Sequence, residues 1–410
     1  MPGLLVVVVA GISERMPSNF QPKPISAIVL MISQKCNLRC TYCYGTDGSY
    51  GNEMQMDQEI AFQAIDWFIE HAGDEKKLRI VFLGGEPLMN YPLMKAVAAY
   101  SKRQAEVCHK SVGFEITTNG TLITEEVIRF FKKYNIVPCI SFDGPREVQD
   151  LQRPFINGRG SYAPTVPRIR RLLETIPEAS CRATWLEGTD PAIVMQELRE
   201  IGFRKIMLIP VSMAPDLNCT IHSDSDSDEY LPFIQTFARE SGDFLRFIKD
   251  RDPEAIRQVI TDTVLWNLTE RVVGKIKKFT PCGAGLELAA VSANGDLYPC
   301  HRFTGYPAYK IGNISSSAID RAFNQWNTVD EIPICNECAI RYHCAGGCYH
   351  DNMVNTGDHR KPWRGSCERK KAMMAITEEL AAQLTSSDLE FLYEEKFFKR
   401  PHCLFDFSVD

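Results

Sequence analysis

Apolar positions between Ser26 and about Val211 follow two alternating rhythms. Short β-branched runs predict strands at Ala27–Ser33, Leu78–Leu83, Val112–Thr117, Val137–Phe142, Arg182–Trp185 and Lys205–Ile209. Between them, apolar residues recur at helical spacing over Asp57–His71, Tyr91–Glu106, Glu125–Tyr134, Pro164–Thr175 and Pro191–Ile201. This α/β alternation calls for a parallel sheet with right-handed crossovers, and six units suit a partial (β/α)6 TIM-like barrel, open on one side. In such a barrel the chemistry sits at the carboxyl ends of the strands.

Beyond residue 211 the rhythm changes. Residues 212–280 read as a bridging segment, with an acidic stretch Ser223–Glu229 that suits a solvated loop. Helical patterns follow over about Tyr230–Asp250 and Asp252–Lys277. Residues 281–385 are dense in Cys, Gly and aromatics with weak periodicity, up to a last helix over about Glu368–Leu384. A small domain of that kind usually needs metal to fold. Residues 1–25 are an N-terminal extension and 386–410 a C-terminal tail.

Composition adds two exclusions. The 410 residues carry 46 Lys+Arg against 52 Asp+Glu, a net charge of −6, so there is no basic footprint for nucleic acid. No apolar run reaches the roughly 18 residues of a membrane span. Leu4–Ile12 is apolar, but no Lys or Arg precedes it as in a signal peptide, so it reads as a stray strand or a start-site artefact.

The count of 15 cysteines changes the picture. A secreted disulfide scaffold would be short and even-numbered. Packing explains isolated thiols such as Cys139 and Cys181 in predicted strands. It does not explain clusters at two-, three- and five-residue gaps, which point to metal. Reduced thiols or oxygen-sensitive clusters both belong in the cytoplasm.

Cys36, Cys40 and Cys43 (CNLRCTYC) follow directly on the first predicted strand. Three thiolates on one loop can hold three irons of a cubane and leave the fourth open, whereas structural zinc wants four closed ligands. This spacing, with Tyr42 before the last cysteine, resembles the radical SAM superfamily. The resemblance implies that S-adenosylmethionine (SAM) chelates the open iron of a 4Fe–4S cluster, and that one electron splits its S–C bond to give a 5′-deoxyadenosyl radical. It also implies cofactor contacts at neighbouring strand ends. Gly84, Gly85 and Glu86 (GGEP) close the second strand, with Glu86 expected to accept from the cofactor's ammonium. Asn119 ends the third strand, and Ser141 and Asp143 the fourth; capping and turn chemistry is the alternative for these. Arg153 matches a position where related enzymes place an arginine on the cofactor carboxylate, with an exposed surface arginine as the alternative.

A second array runs Cys282, Cys300, Cys335, Cys338, Cys344, Cys348 and Cys367. It resembles the SPASM extension of radical SAM enzymes, which houses two auxiliary 4Fe–4S clusters and so brings the total to three; a double zinc ribbon is the alternative. By that resemblance Cys335, Cys338, Cys344 and Cys367 close one auxiliary cluster, and Cys282, Cys300 and Cys348 hold the other. The latter then has an open iron or recruits a remote ligand such as Cys219. His301, after Cys300, stands where anaerobic sulfatase maturases carry a catalytic Asp. It is read either as a catalytic acid/base or substrate contact, or as a hydrogen-bond donor behind the cluster.

SPASM enzymes are peptide and protein maturases, and CGAG (282–285) with GDLYPCHRF (295–303) looks closer to thioether-forming ranthipeptide and SCIFF maturases than to sulfatase maturases. The resemblance therefore implies a Cys-containing peptide or small protein as substrate, joined by an intramolecular thioether. A flavodoxin- or ferredoxin-type electron donor is also expected. Leader recognition falls to a separate protein, the bridging segment or the Leu4–Ile12 strand. A formylglycine-forming sulfatase maturase is the other enzyme reading, and a non-catalytic zinc- or cluster-bearing binding module the reading from another class.

Overall fold

The computed structural model describes residues 24–211, 230–259, 264–316, 319–320, 323 and 328–398. The Leu4–Ile12 run, the acidic stretch 223–229, Cys219 and Cys403 lie outside the described residues. Among the described residues no helix is long and apolar enough to cross a membrane.

Six strands, β1 Ala27–Ser33, β2 Lys77–Gly84, β3 Ser111–Thr118, β4 Val137–Ser141, β5 Ser180–Trp185 and β6 Lys205–Pro210, pair in parallel and in chain order. Their crossovers carry α1 Gln58–His71, α2 Tyr91–Val107, α3 Glu125–Tyr134, α4 Arg146–Gln152, α5 Tyr162–Thr175 and α6 Pro191–Ile201. Three of these helices begin where a side chain satisfies a free amide: Asp57 accepts from Ile60 N–H, Thr124 from Val127 and Asp190 from Ala192. The α4 helix is missing from the sequence pattern because its buried residues are the polar Gln149 and Gln152 rather than an apolar stripe.

All seven residues of β1 are buried, and they split by face. Ile28, Leu30 and Ile32 join the helices in one large core, while Val29 and Met31 pack with Tyr298, Phe303 and Tyr349 from the cysteine-rich region. The reason is β7 Leu288–Val291, which adds in parallel to the free edge of β1. Antiparallel β8 Asp296–Tyr298 and β9 Gly312–Asn313 follow, giving one nine-stranded sheet. The edge of β1 is thereby covered by the region that carries the second cysteine array.

The bridging pattern resolves into α7 Leu231–Lys249, α8 Pro253–Val259 and α9 Val264–Val273. Short α10 Arg341–Cys344 and α11 Tyr349–Thr356 lead to α12 Arg364–Ala382, which packs on α7 and α9. Part of the expected tail is helical: α13 Ser386–Glu394 starts from a Thr385/Asp388 capping box. It is tied to α7 and its C-terminal turn by Lys249 and Arg251 on the buried Asp388.

Candidate functional site

The cysteine loop leaves β1 and is fastened to the ends of β2 and β3. Gly85 N–H donates to Ser33 O and Glu86 N–H to Lys35 O, each at 2.8 Å. Both glycines are required by the protein's own backbone. Gly84 has φ +140°, and a Cβ on it would lie 2.1 Å from Ser33 O. One on Gly85 would lie 2.4 Å from Lys35 O and 2.5 Å from Gly48 O. The close approach that GGEP permits is therefore to the Cys36 loop.

Glu86 is fully buried. Its carboxylate accepts from Thr118 O–H (2.7 Å), Asn119 N–H (2.8 Å) and Leu88 N–H (3.0 Å), locking the ends of β2 and β3 together. Burial pushes its pKa up to about 7 despite those three donors. Asn119 turns its amide to Asn37 Oδ1 (2.9 Å) and toward Cys36 Sγ (3.8 Å), while Asn37 reaches Thr121 (2.8 Å).

On the other side of the loop, Arg153 is 7% exposed, which removes the surface reading. Its Nε and Nη2 form a fork on Asp143 at 2.8 and 3.1 Å, and its Nη1 lies 3.9 Å from Cys40 Sγ. Asp143 also accepts from Tyr42 O–H and from Thr184 N–H (2.8 Å). The guanidinium sits over the Tyr42 ring, 5.2 Å from its centre. Burial opposes this charge, yet Asp143, Tyr42 and Cys40 more than offset it and hold Arg153 protonated. Two of its donor directions are thus spent on Asp143, and the third faces the cysteine loop. Ser141 ends β4 half-buried, two residues before Asp143.

The first three thiols stand close enough to raise one another's pKa. Burial takes Cys36 and Cys40 up to about 12, and it raises Cys43 as well. Such thiols stay protonated in neutral water and release their protons when a metal ion displaces them.

The second array falls into two groups. Cys282 and Cys348 surround Cys300, whose pKa burial lifts to about 12; Cys338, Cys344 and Cys367 surround Cys335, lifted to about 12 in the same way. Among the described residues no three His, Cys, Asp or Glu converge as ligands of one metal ion. A cubane takes one thiolate per iron, so its ligands stand further apart. Around these cysteines, Arg302 Nε, His301 Nδ1, both ring nitrogens of His350 and Arg369 Nη1 are buried with no hydrogen-bond partner. The arginine N–H groups and the single N–H of each neutral imidazole, so placed, fit the sulfurs of bound clusters as acceptors.

His301 packs against Tyr44, ring centres 5.9 Å apart. Burial, then the Arg302 and Arg182 cations, lowers its pKa to about 3, so its surroundings favour neutral imidazole over a charged acid. A cavity of about 420 Å³ opens between the end of β6 (Met207, Ile209, Pro210) and Cys282, Cys344 and Cys348. Arg271, Lys278, Arg369 and Lys370 supply cations to its wall.

Sequence reasoning missed Asn37, Tyr44, Arg302 and Asp351, all beside clustered cysteines. Their only signal was a polar or aromatic residue within three positions of a predicted ligand.

A parallel partial barrel whose first strand ends in a half-buried three-thiol loop, framed by buried polar strand ends, is the architecture of an iron–sulfur enzyme that handles SAM. The radical SAM superfamily profile matches residues 30–188. The radical SAM cyclopropyl synthase TigE of Paramaledivibacter caminithermalis is 34% identical over 383 residues, covering 85% of this chain and 73% of that one. The serine-type anaerobic sulfatase-maturating enzyme of Bacteroides thetaiotaomicron is 25% identical over 362 residues, 82% of this chain and 85% of that. Uncharacterized protein MJ0907 of Methanocaldococcus jannaschii is 34% identical over 139 residues, so this chain spans under half (46%) of that relative. Among solved structures, anSMEcpe with bound AdoMet and Kp18Cys peptide superposes at TM-score 0.70 and 18% identity, covering 87% of this chain and 99% of that; the likeness is one of fold.

The chain belongs to the radical SAM superfamily. It is an enzyme, and the family brings SAM and one 4Fe–4S cluster.

Proposed function

We propose that this enzyme is a peptide maturase that closes a bond within a ribosomally made peptide, a thioether to cysteine sulfur. The observation that carries the reading is a second thiol group linked to the first through Tyr44: this residue, next to Cys43 of the loop that ends β1, packs against His301 and lies under Arg302, which donates to Cys348 of the Cys282, Cys300 and Cys348 group. The likeness to a sulfatase-maturating enzyme, which acts on a protein, supports a polypeptide substrate.

In this reading Cys36, Cys40 and Cys43 hold the SAM cluster, while Glu86, Asn119 and the Asp143–Arg153 pair frame SAM. When bound, SAM and its reduced cluster supply a carbon radical that abstracts a hydrogen atom from substrate. The chain's part is placement and exclusion of water: β6 offers the apolar Met207 and Ile209 as a wall. Closing a substrate carbon radical on a cysteine S–H forms C–S and releases one proton and one electron. Cys282, Cys300 and Cys348 would hold the inner auxiliary cluster, which would supply an acceptor for this electron, and Cys335, Cys338, Cys344 and Cys367 would hold the outer one. A small reductant protein, flavodoxin or ferredoxin, would feed the SAM cluster, and leader recognition would fall to a separate protein, the bridging segment or the Leu4–Ile12 strand.

A second reading is carbon–carbon closure, favoured by the 34% identity with the cyclopropyl synthase. The test incubates reduced enzyme with SAM and the small peptides encoded beside its gene, then alkylates the product. Loss of two mass units with one thiol no longer alkylated supports the thioether. The same loss with every thiol still alkylated establishes the carbon–carbon reading instead, and an aldehyde product establishes formylglycine formation. Cys43→Ala should abolish 5′-deoxyadenosine release in every case, whereas Cys338→Ala should spare some uncoupled SAM cleavage.

A further inference from the structure

Arg302 follows Cys300 by two positions, and its side chain joins three parts of the chain. Its Nη1 donates to Cys348 Sγ at 3.3 Å. Among the described residues this is the shortest side-chain contact onto a clustered sulfur; Lys370 stands 3.7 Å from Cys344, Asn119 3.8 Å from Cys36 and Arg153 3.9 Å from Cys40. The same Nη1 pairs with Asp351 at 2.5 Å, on the helix that starts after Cys348. The guanidinium lies 4.9 Å above the ring of Tyr44, the residue after Cys43. Its Nε is buried and has no partner.

The fork is thus fixed by a carboxylate and by an aromatic face, with 16% of the side chain exposed. Asp351 cancels most of its net charge, and what remains at the sulfur is an oriented, charge-assisted N–H in a low-dielectric setting. Adding an electron to a cluster makes its sulfurs more negative, so such a donor favours the reduced state and raises the potential. The planar, rigid guanidinium suits this task better than a flexible ammonium.

We propose that Arg302 is a positioning residue that raises the reduction potential of the cluster held by Cys282, Cys300 and Cys348, by keeping an N–H on the Cys348 sulfur, and so fits that cluster to take the electron released on bond closure. The role rests on the auxiliary cluster of the proposed function, and it reaches back through Tyr44 to the loop of the first cluster.

The test is an EPR-monitored redox titration of the full enzyme. It is repeated in a Cys36→Ala, Cys40→Ala, Cys43→Ala background that leaves only the auxiliary clusters, with iron counted throughout. Arg302→Gln should keep its iron and lower the inner midpoint so that the reduction equilibrium falls at least tenfold, about 59 mV for one electron. Arg302→Lys should fall between the two. An unchanged midpoint in Arg302→Gln with full iron overturns the proposal. Should that variant lose the inner cluster, wild-type enzyme carrying 15N only in its arginine guanidinium groups decides by ENDOR, because the Arg302 backbone N–H also meets the Cys300 sulfur: a guanidinium nitrogen coupling to the reduced inner cluster supports the contact, and none overturns it. Wild-type iron short by about one cubane's four irons would instead remove the cluster reading itself, and this proposal with it.

Discussion

Replacing Asp143 by Asn should be among the most damaging single changes in the barrel. Asp143 is 0% exposed and Arg153 7%, so water screens the pair little. Oδ1 accepts from Thr184 N–H and Arg153 Nη2, and Oδ2 from Arg153 Nε and Tyr42 O–H. Whichever way an asparagine amide is turned, its NH₂ meets donors, and the guanidinium is left without a countercharge. Breaking a buried pair from one side costs about 3–5 kcal/mol, a large share of the roughly 5–15 kcal/mol that holds a typical protein folded. With a urea slope of about 3 kcal/mol per molar, a loss of about 4 kcal/mol lowers the midpoint by about 1.3 M. Anaerobic urea titration followed by far-UV circular dichroism measures it. Changing Arg153→Gln in the same chain removes the stranded charge, so the double variant should be less damaged than the sum of the two single variants. A midpoint within about 0.3 M of wild type in Asp143→Asn, equivalent to about 1 kcal/mol at that slope, would refute the reasoning.

Two further outcomes follow from the strand ends. Burial holds the folded Glu86 carboxyl at about 7, and an ammonium needs the ionised form. SAM affinity should therefore tighten as pH rises from 6 to 7.5, by up to tenfold per unit below that pKa. Anaerobic titration should show this slope in the wild type and lose it in Glu86→Gln; a flat wild-type profile sinks the assignment of Glu86 to the ammonium. A Cβ on Gly85 would meet backbone carbonyls at 2.4 and 2.5 Å, whereas one on Gly113 meets only Leu78 O at 4.0 Å. Gly85→Ala should thus lose the iron of the Cys36 loop and 5′-deoxyadenosine release, and Gly113→Ala should keep both; equal iron in the two variants counts against the packing argument.

The sequence determined a good deal. Short β-branched runs and period-3.6 patterns marked the six parallel strands and most helices, because strands of a covered parallel sheet are apolar throughout or nearly so and the helices over them each bury one stripe. The spacing of Cys36, Cys40 and Cys43 marked the end of β1 as the chemical centre. A local signal for α13, Thr385 three residues before Asp388, was present but unread.

Only the tertiary structure decided the rest. The placement of β7 along β1, from Leu288 onward, joins residues about 260 positions apart, and no local pattern encodes such a pairing. Whether Arg153 would be surface or buried depended on Asp143, ten residues away, folding back onto it across α4. The reach of Arg302 to Cys348, Asp351 and Tyr44 depended on three separate segments meeting. Periodicity records which face of an element is apolar. The partner of a buried charge is set by how the chain closes on itself, and in this enzyme those partners surround the sulfurs.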